Sequence, residues 1–117
     1  MHDFKKLIVW QKSRIFVKDI YILTQKFPAE EKFGLISQIR RAAVSIPSNI
    51  AEGAGRNTKN DYAHFVDIAN GSACEVETQL YIALDLNYIS QQEFEKINSD
   101  LQDIEKMLYN FKLSFSK

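Results

Sequence analysis

The chain has 117 residues, of which 45% are hydrophobic and 26% charged, with four glycines, two prolines and one cysteine. That is enough chain for one domain, 1–117, with a core of its own. The composition excludes a disordered polypeptide, and so little glycine and proline excludes a loop-rich β sandwich; the lone Cys74 excludes an internal disulfide and fits a reducing compartment. Net charge is zero, so no overall field draws the molecule onto nucleic acid. The charge is nonetheless segregated: residues 1–56 carry ten Lys and Arg against five Asp and Glu, and residues 57–117 the reverse. Such a division can pair helices or subunits, or simply solvate different faces. The apolar run 7–10 is too short for a signal-peptide core or a membrane span, so the expected location is the cytoplasm, with no membrane partner.

Four segments carry helical periodicity. In the first, Val9, Ser13, Phe16, Ile20, Leu23 and Phe27 alternate spacings of four and three, which places them on one stripe. Pro28 is expected to end this helix, and Ala29-Glu30-Glu31 to put carboxylates in the first turn of the next. The second stripe is Leu35, Ile39, Ala42 and Ile46, flanked by Ile36, Ala43 and Ile50, with Pro47 inside it; the proline removes one backbone donor and predicts a helix either kinked there or split in two. Gly53 and Gly55 read as a C-cap. Thr58-Lys59-Asn60-Asp61 resembles a capping box with Asp in place of Glu or Gln.

The third stripe, Tyr62, Val66, Ala69, Ala73, Val76, Leu80 and Ala83, is rich in small residues and predicts close helix approach. Asn87 suits the left-handed position after a helix, and Ser90-Gln91-Gln92-Glu93 is a complete capping box. The last stripe, Phe94, Ile97, Leu101, Ile104, Leu108, Phe111 and Phe115, holds a heptad pattern throughout. Short connections between such helices predict an all-α, antiparallel up-down-up-down four-helix bundle with helix 2 kinked at Pro47.

The stretch Phe27-Pro28-Ala29-Glu30-Glu31-Lys32-Phe33-Gly34-Leu35-Ile36-Ser37-Gln38-Ile39-Arg40-Arg41-Ala42-Ala43-Val44-Ser45-Ile46-Pro47-Ser48-Asn49-Ile50-Ala51-Glu52-Gly53 resembles the signature of the 23S rRNA-intervening sequence proteins, also called four-helix-bundle proteins. Ile68-Ala69-Asn70-Gly71-Ser72, Glu75-Val76-Glu77-Thr78 and Asn87-Tyr88-Ile89 extend the similarity, which runs from Leu7-Ile8-Val9-Trp10 over nearly the whole chain. At Asn87 the family pattern has glycine; both residues tolerate the left-handed conformation. The resemblance implies a four-helix bundle that assembles as a ring-like homo-oligomer, a pentamer. It also implies kinship with the accessory proteins of diversity-generating retroelements, which work with a reverse transcriptase and RNA, and hence nucleic-acid binding. It brings no catalytic residues.

Polar residues within and beside the signature, Gln38, Arg41, Ser45, Asn49 and Glu52 on helix 2 with Ser72 and Glu75 on helix 3, are candidates for a network that specifies the bundle or its assembly; a ligand-binding role is the alternative. If helices 2 and 3 pack antiparallel, Arg41 lies level with Ser72 and within a turn of Glu75, where a buried Arg41–Glu75 pair would fix register. Asn49 then lies level with His64. Asp61-Tyr62-Ala63-His64 is a lone Asp-x-x-His, short of the ligand set of a di-metal bundle, so no metal or other cofactor is expected. Cys74 is expected to be an inert buried thiol, and no glycine-rich phosphate loop is present. No enzyme and no small-molecule substrate are predicted.

Up-down-up-down topology brings both termini and the turn between helices 2 and 3 to one end. That end gathers Lys5, Lys6, Arg56, Lys59, Lys112 and Lys117, opposed by Asp3 and Asp61, while Glu30, Glu31, Asp85, Glu93 and Glu95 crowd the other. In a ring of like-oriented subunits the basic ends would contact several phosphates at once; the alternative is six solvated side chains. Trp10, Val17 and Tyr21 form a second stripe on helix 1 and are expected to mediate self-association. The sequence therefore predicts a non-enzymatic oligomer that binds RNA or DNA through its basic end, against the alternative of a protein–protein interaction scaffold with no nucleic-acid partner.

Overall fold

Each of the four apolar stripes becomes the inner face of a helix. The computed structural model describes residues 3–116. Its helices are α1 (Ile8–Thr24), α2 (Leu35–Ala54), α3 (Lys59–Asp85) and α4 (Gln91–Ser114), with 3₁₀ turns at Phe4–Lys6 and Ala29–Glu31 and no strand among the described residues. Each helix packs against its neighbours in sequence, and α4 closes against α1, giving an all-α four-helix bundle 44 × 24 × 20 Å. The core is continuous from Val9, Phe16 and Ile20 through Ile39, Ile46 and Ile50 to Val66, Val76 and Leu80, and on to Leu101, Ile104 and Leu108.

The ends are tied by specific contacts. At one, Lys26 just beyond α1 pairs with Glu93 in the first turn of α4, and Glu31 before α2 accepts from the Tyr88 hydroxyl, after α3, at 2.8 Å. At the other, Tyr62 near the start of α3 stacks with Phe111 and Phe115, at ring centroid distances of 5.2 and 4.8 Å. Leu7, preceding α1, lines the same groove as these rings.

The capping chemistry explains most boundaries. Ser90 accepts from the Glu93 amide at 3.1 Å while the Glu93 carboxylate accepts from the Ser90 amide at 2.8 Å, completing a capping box. Thr58 accepts from the Asp61 amide at 3.1 Å, starting α3. Asn87 has φ 63°, and the bonds Tyr88 N to Ala83 O and Asn87 N to Leu84 O complete a Schellman ending for α3.

Two local expectations are corrected, and one of the two alternatives at Pro47 is removed. α2 runs unbroken through Pro47, so the helix is not split in two. Ala29-Glu30-Glu31 forms a separate 3₁₀ turn in place of the first turn of α2; the Glu31 carboxylate still caps α2 by accepting from the Leu35 amide at 3.0 Å. Gly53 is not a cap but a buried residue inside α2, and Gly55 alone closes the helix, with its amide donating to Ala51 O and Glu52 O.

Candidate functional site

The residues at the basic end are placed by three elements. The Phe4–Lys6 turn carries Lys5 and Lys6, both exposed; the connection from α2 carries Arg56 and leads into Lys59, the first residue of α3; the last turn of α4 carries Lys112. A groove of about 340 Å³ lies at this end, lined by Leu7, Arg56, Thr58, Lys59, Tyr62 and Phe115 with their neighbours, while Lys112 lines a separate groove with Asp67. The start of α3 opens here, so backbone N–H groups add to the local positive potential. Two of the cations are partly committed. Arg56 bonds the Glu52 carboxylate at 2.8 Å and lies over the Phe65 ring, and Lys112 pairs with Asp67 at 2.7 Å. All these pairs are solvent-exposed, so they hold their partners weakly. Lys117 lies outside the described residues.

The seam between α2 and α3 holds a polar cluster. Ser45 Oγ and Ser72 Oγ are 2.8 Å apart, and Asn49 Nδ2 donates to both Ser45 O and Ser45 Oγ at 2.8 Å. Ser72 is buried, and small residues on both helices bring the backbones close enough for two serines to touch. Arg41 and Glu75, by contrast, are exposed and make no ion pair among the described residues, which corrects the expected buried pair. They face solvent along one groove of about 490 Å³ with Phe33, Gln38, Ser45 and Ser72. Register at this seam thus rests on hydroxyls and close packing. Ser45→Ala should cost about 1–2 kcal/mol in urea unfolding, because Ser72 is left buried without its partner. Ser45→Ala/Ser72→Ala should cost less than the sum of the two single changes.

Trp10 packs edge-on against Phe4 with Arg14 over its ring, Val17 is half-buried against the core, and Tyr21 lies under the Arg40 guanidinium at 4.5 Å. The barer face of α1 is Ile8, Ile15 and Ile22, between 55% and 63% exposed. Their i, i+7, i+14 spacing was present in the sequence as a second heptad, parallel to the core stripe. Cys74 is exposed, which corrects the expected burial; partial desolvation, then Glu105 and Glu77 nearby, push its thiol up and away from the reactive thiolate. His64 is exposed with its ring against Phe65, and no cluster of three metal-ligating side chains occurs among the described residues. None of the helices described is long and apolar enough to cross a membrane.

With this architecture in place, the family of 23S rRNA-intervening sequence proteins matches residues 5–110, nearly the whole chain. The chain belongs to that family. A solved structure of a protein of unknown function from the S23 ribosomal protein family of Bacteroides thetaiotaomicron superposes with a TM-score of 0.81 at 29% identity. The alignment covers 90% of this chain and 98% of that one. No curated protein matches. For this 23S rRNA-intervening sequence protein, then, the bundle is common to a solved relative, and its surfaces are where function has to be sought.

Proposed function

We propose that this protein is a non-enzymatic, cytoplasmic, self-associating bundle that holds RNA or DNA by its phosphates at the basic end. The observation that carries the reading is the convergence of Leu7, which follows the Phe4–Lys6 turn, the α2–α3 connection, the start of α3 and the end of α4 around one groove with Arg56 and Lys59 on its wall. Lys5, Lys6 and Lys59 make no ion pair among the described residues and stand free for phosphate. Arg56 and Lys112 can exchange exposed carboxylates for phosphate at small cost. Phosphate contact with little base readout follows, since the end has no strand platform carrying aromatic and basic side chains. A single copy offers few charges, so self-association in the ring that the family resemblance implies would multiply weak contacts.

Lys5→Glu, Lys6→Glu, Arg56→Glu and Lys59→Glu combined should weaken binding of a mixed-sequence RNA, measured by fluorescence anisotropy, at least about tenfold and flatten its salt dependence. The circular dichroism melt should be unchanged, because all four side chains are exposed. Undiminished affinity in the folded variant would remove the basic end from the reading. A wild-type protein that binds neither RNA nor DNA at low salt would leave the interaction-scaffold alternative.

A further inference from the structure

The most exposed apolar side chain described is Phe33, at 87%, in the connection just before α2. Nothing in the fold requires it there. Its ring is touched by Lys32, and it forms one edge of the open α2–α3 groove that also holds Arg41. On the opposite side of the bundle, α1 and α4 leave a groove of about 580 Å³ floored by Ile22, Leu23 and Ile97, with Asp19 and Asp100 on its walls. It continues along α1 past Ile15 and Ile104. The molecule therefore has an aromatic knob on one side and an apolar groove on the other.

We propose that the α1–α4 groove receives Phe33 of a second copy of this chain, a contact that rests on the self-association reading above and says which surfaces mate. Three observations favour a second copy as the occupant. Knob and groove lie in the same half of the bundle: Phe33 is close to the Glu31–Tyr88 bond, and the groove is bounded by the Lys26–Glu93 pair at the same end. Charge matches as well. Arg41, on the knob side, is exposed without an ion pair among the described residues. On the groove side Lys26 pairs with Glu93 and Lys96 with Asp100, which leaves the half-buried Asp19 as the groove carboxylate without an ion pair among the described residues.

The offsets agree too. Arg40 bonds Thr24 and the Tyr21 carbonyl, so the turn of α2 that holds Arg40 and Arg41 lies beside the last turn of α1, next to the turn that carries Asp19. Phe33 precedes α2, and the Lys26–Glu93 pair bounds the groove at that same end, so like-oriented copies bring Phe33 to the Lys26 end of the groove and Arg41 toward Asp19. Because knob and groove are different surfaces, the contact is heterologous, and each copy keeps a free knob and a free groove for the next. A chain of such contacts closes into a ring when the rotation between copies allows it.

The experiment is sedimentation velocity on the full chain and its variants over a range of concentrations. Wild type should form a closed oligomer, and Phe33→Asp should be monomeric yet as helical as wild type by circular dichroism, since the side chain is exposed in the single chain; its melt should lack the concentration dependence that assembly gives wild type. Arg41→Asp and Asp19→Arg should each raise the concentration needed for assembly at least about tenfold. Arg41→Asp combined with Asp19→Arg should restore it. An oligomer untouched by Phe33→Asp, or a double variant no better than its parents, would overturn this docking while leaving self-association through another face. A wild-type monomer at every concentration would overturn self-association itself, and the docking with it.

Discussion

Gly53→Val should destabilise the protein by about 3 kcal/mol, more than a hundredfold in the ratio of folded to unfolded chains, when urea unfolding is followed by circular dichroism. A Cβ at Gly53 would lie 2.9 Å from both Phe65 Cβ and Tyr62 Cδ1 and 3.2 Å from the Tyr62 carbonyl oxygen. Two of those three atoms are fixed, one to the α3 backbone and one in it, so the side chains cannot swing aside; the helices would have to separate. Separation there loosens Tyr62 from Phe111 and Phe115, which lock the end of α4 to the start of α3. Gly53→Ala tests the same contact more gently and should cost about 1–2 kcal/mol, although alanine favours a helix interior over glycine by about 1 kcal/mol. If alanine stabilised the protein instead, α2 and α3 would not be in contact at this position.

The mistaken reading of Gly53 shows what a single sequence conceals. Two glycines close to a predicted helix end suggest a cap, because local conformational preference is all that spacing reveals. What Gly53 does depends on Tyr62 and Phe65, which meet it only once α3 folds back. Asn87 and Ser90 were legible for the opposite reason: the left-handed turn and the capping box are built within a few residues, and both formed as the spacing predicted. The inner stripes were legible too. Periodicity reports which face is apolar: of the 14 stripe positions in the third and fourth segments, the 12 from Tyr62 to Leu108 are buried, and Phe111 and Phe115 are half-buried against the core.

The candidate site was legible only in part. Chain reversal at short connections foretold that Lys5, Arg56, Lys59 and Lys112 would share an end, since topology alone decides that. It could not foretell that Arg56 would reach Glu52 or Lys112 reach Asp67, because i, i+4 and cross-helix partners compete with solvent. Arg41 and Glu75 were expected inside because their neighbours in sequence are apolar on more than one side. They lie outside because Ser45 and Ser72, with shorter side chains, occupy the seam between the helices. On α1, aromatic residues drew notice to Trp10 and Tyr21; Arg14 and Arg40 lie over their rings, Tyr21 stays exposed, and Ile8, Ile15 and Ile22 are barer still.

A second large effect is expected from pH. Glu105 on α4 faces Glu77 on α3, and Glu105 Oε1 is buried with no hydrogen-bond donor among the described residues. Desolvation first, then the Glu77 carboxylate, as an acceptor for the protonated acid and as a like charge, push the Glu105 acid up to about 7. Cys74, the other titratable group named at this place, is itself pushed up and stays a thiol, so it supplies no positive charge. A folded-state pKa above the ordinary 4.5 means that the folded chain holds a proton the unfolded chain has released. The stabilising effect of that proton is therefore complete below about 4.5 and is lost as pH rises to about 7. Because the pair is only half-buried, solvent screening limits the loss to about 1 kcal/mol. Glu31 acts in a different window. Its carboxyl is held below the usual range by the Leu35 amide and then the Tyr88 hydroxyl, so its contribution is present above about 4.5 and lost as pH falls through its lowered value. Glu105→Gln keeps a donor toward Glu77 and carries no charge. It should stabilise the protein at pH 8 by about 1 kcal/mol and flatten the stability profile between 4.5 and 7, leaving the acid limb to Glu31. Urea titrations of wild type and Glu105→Gln across that range decide the matter: parallel profiles would mean that the two carboxyl groups do not share a proton.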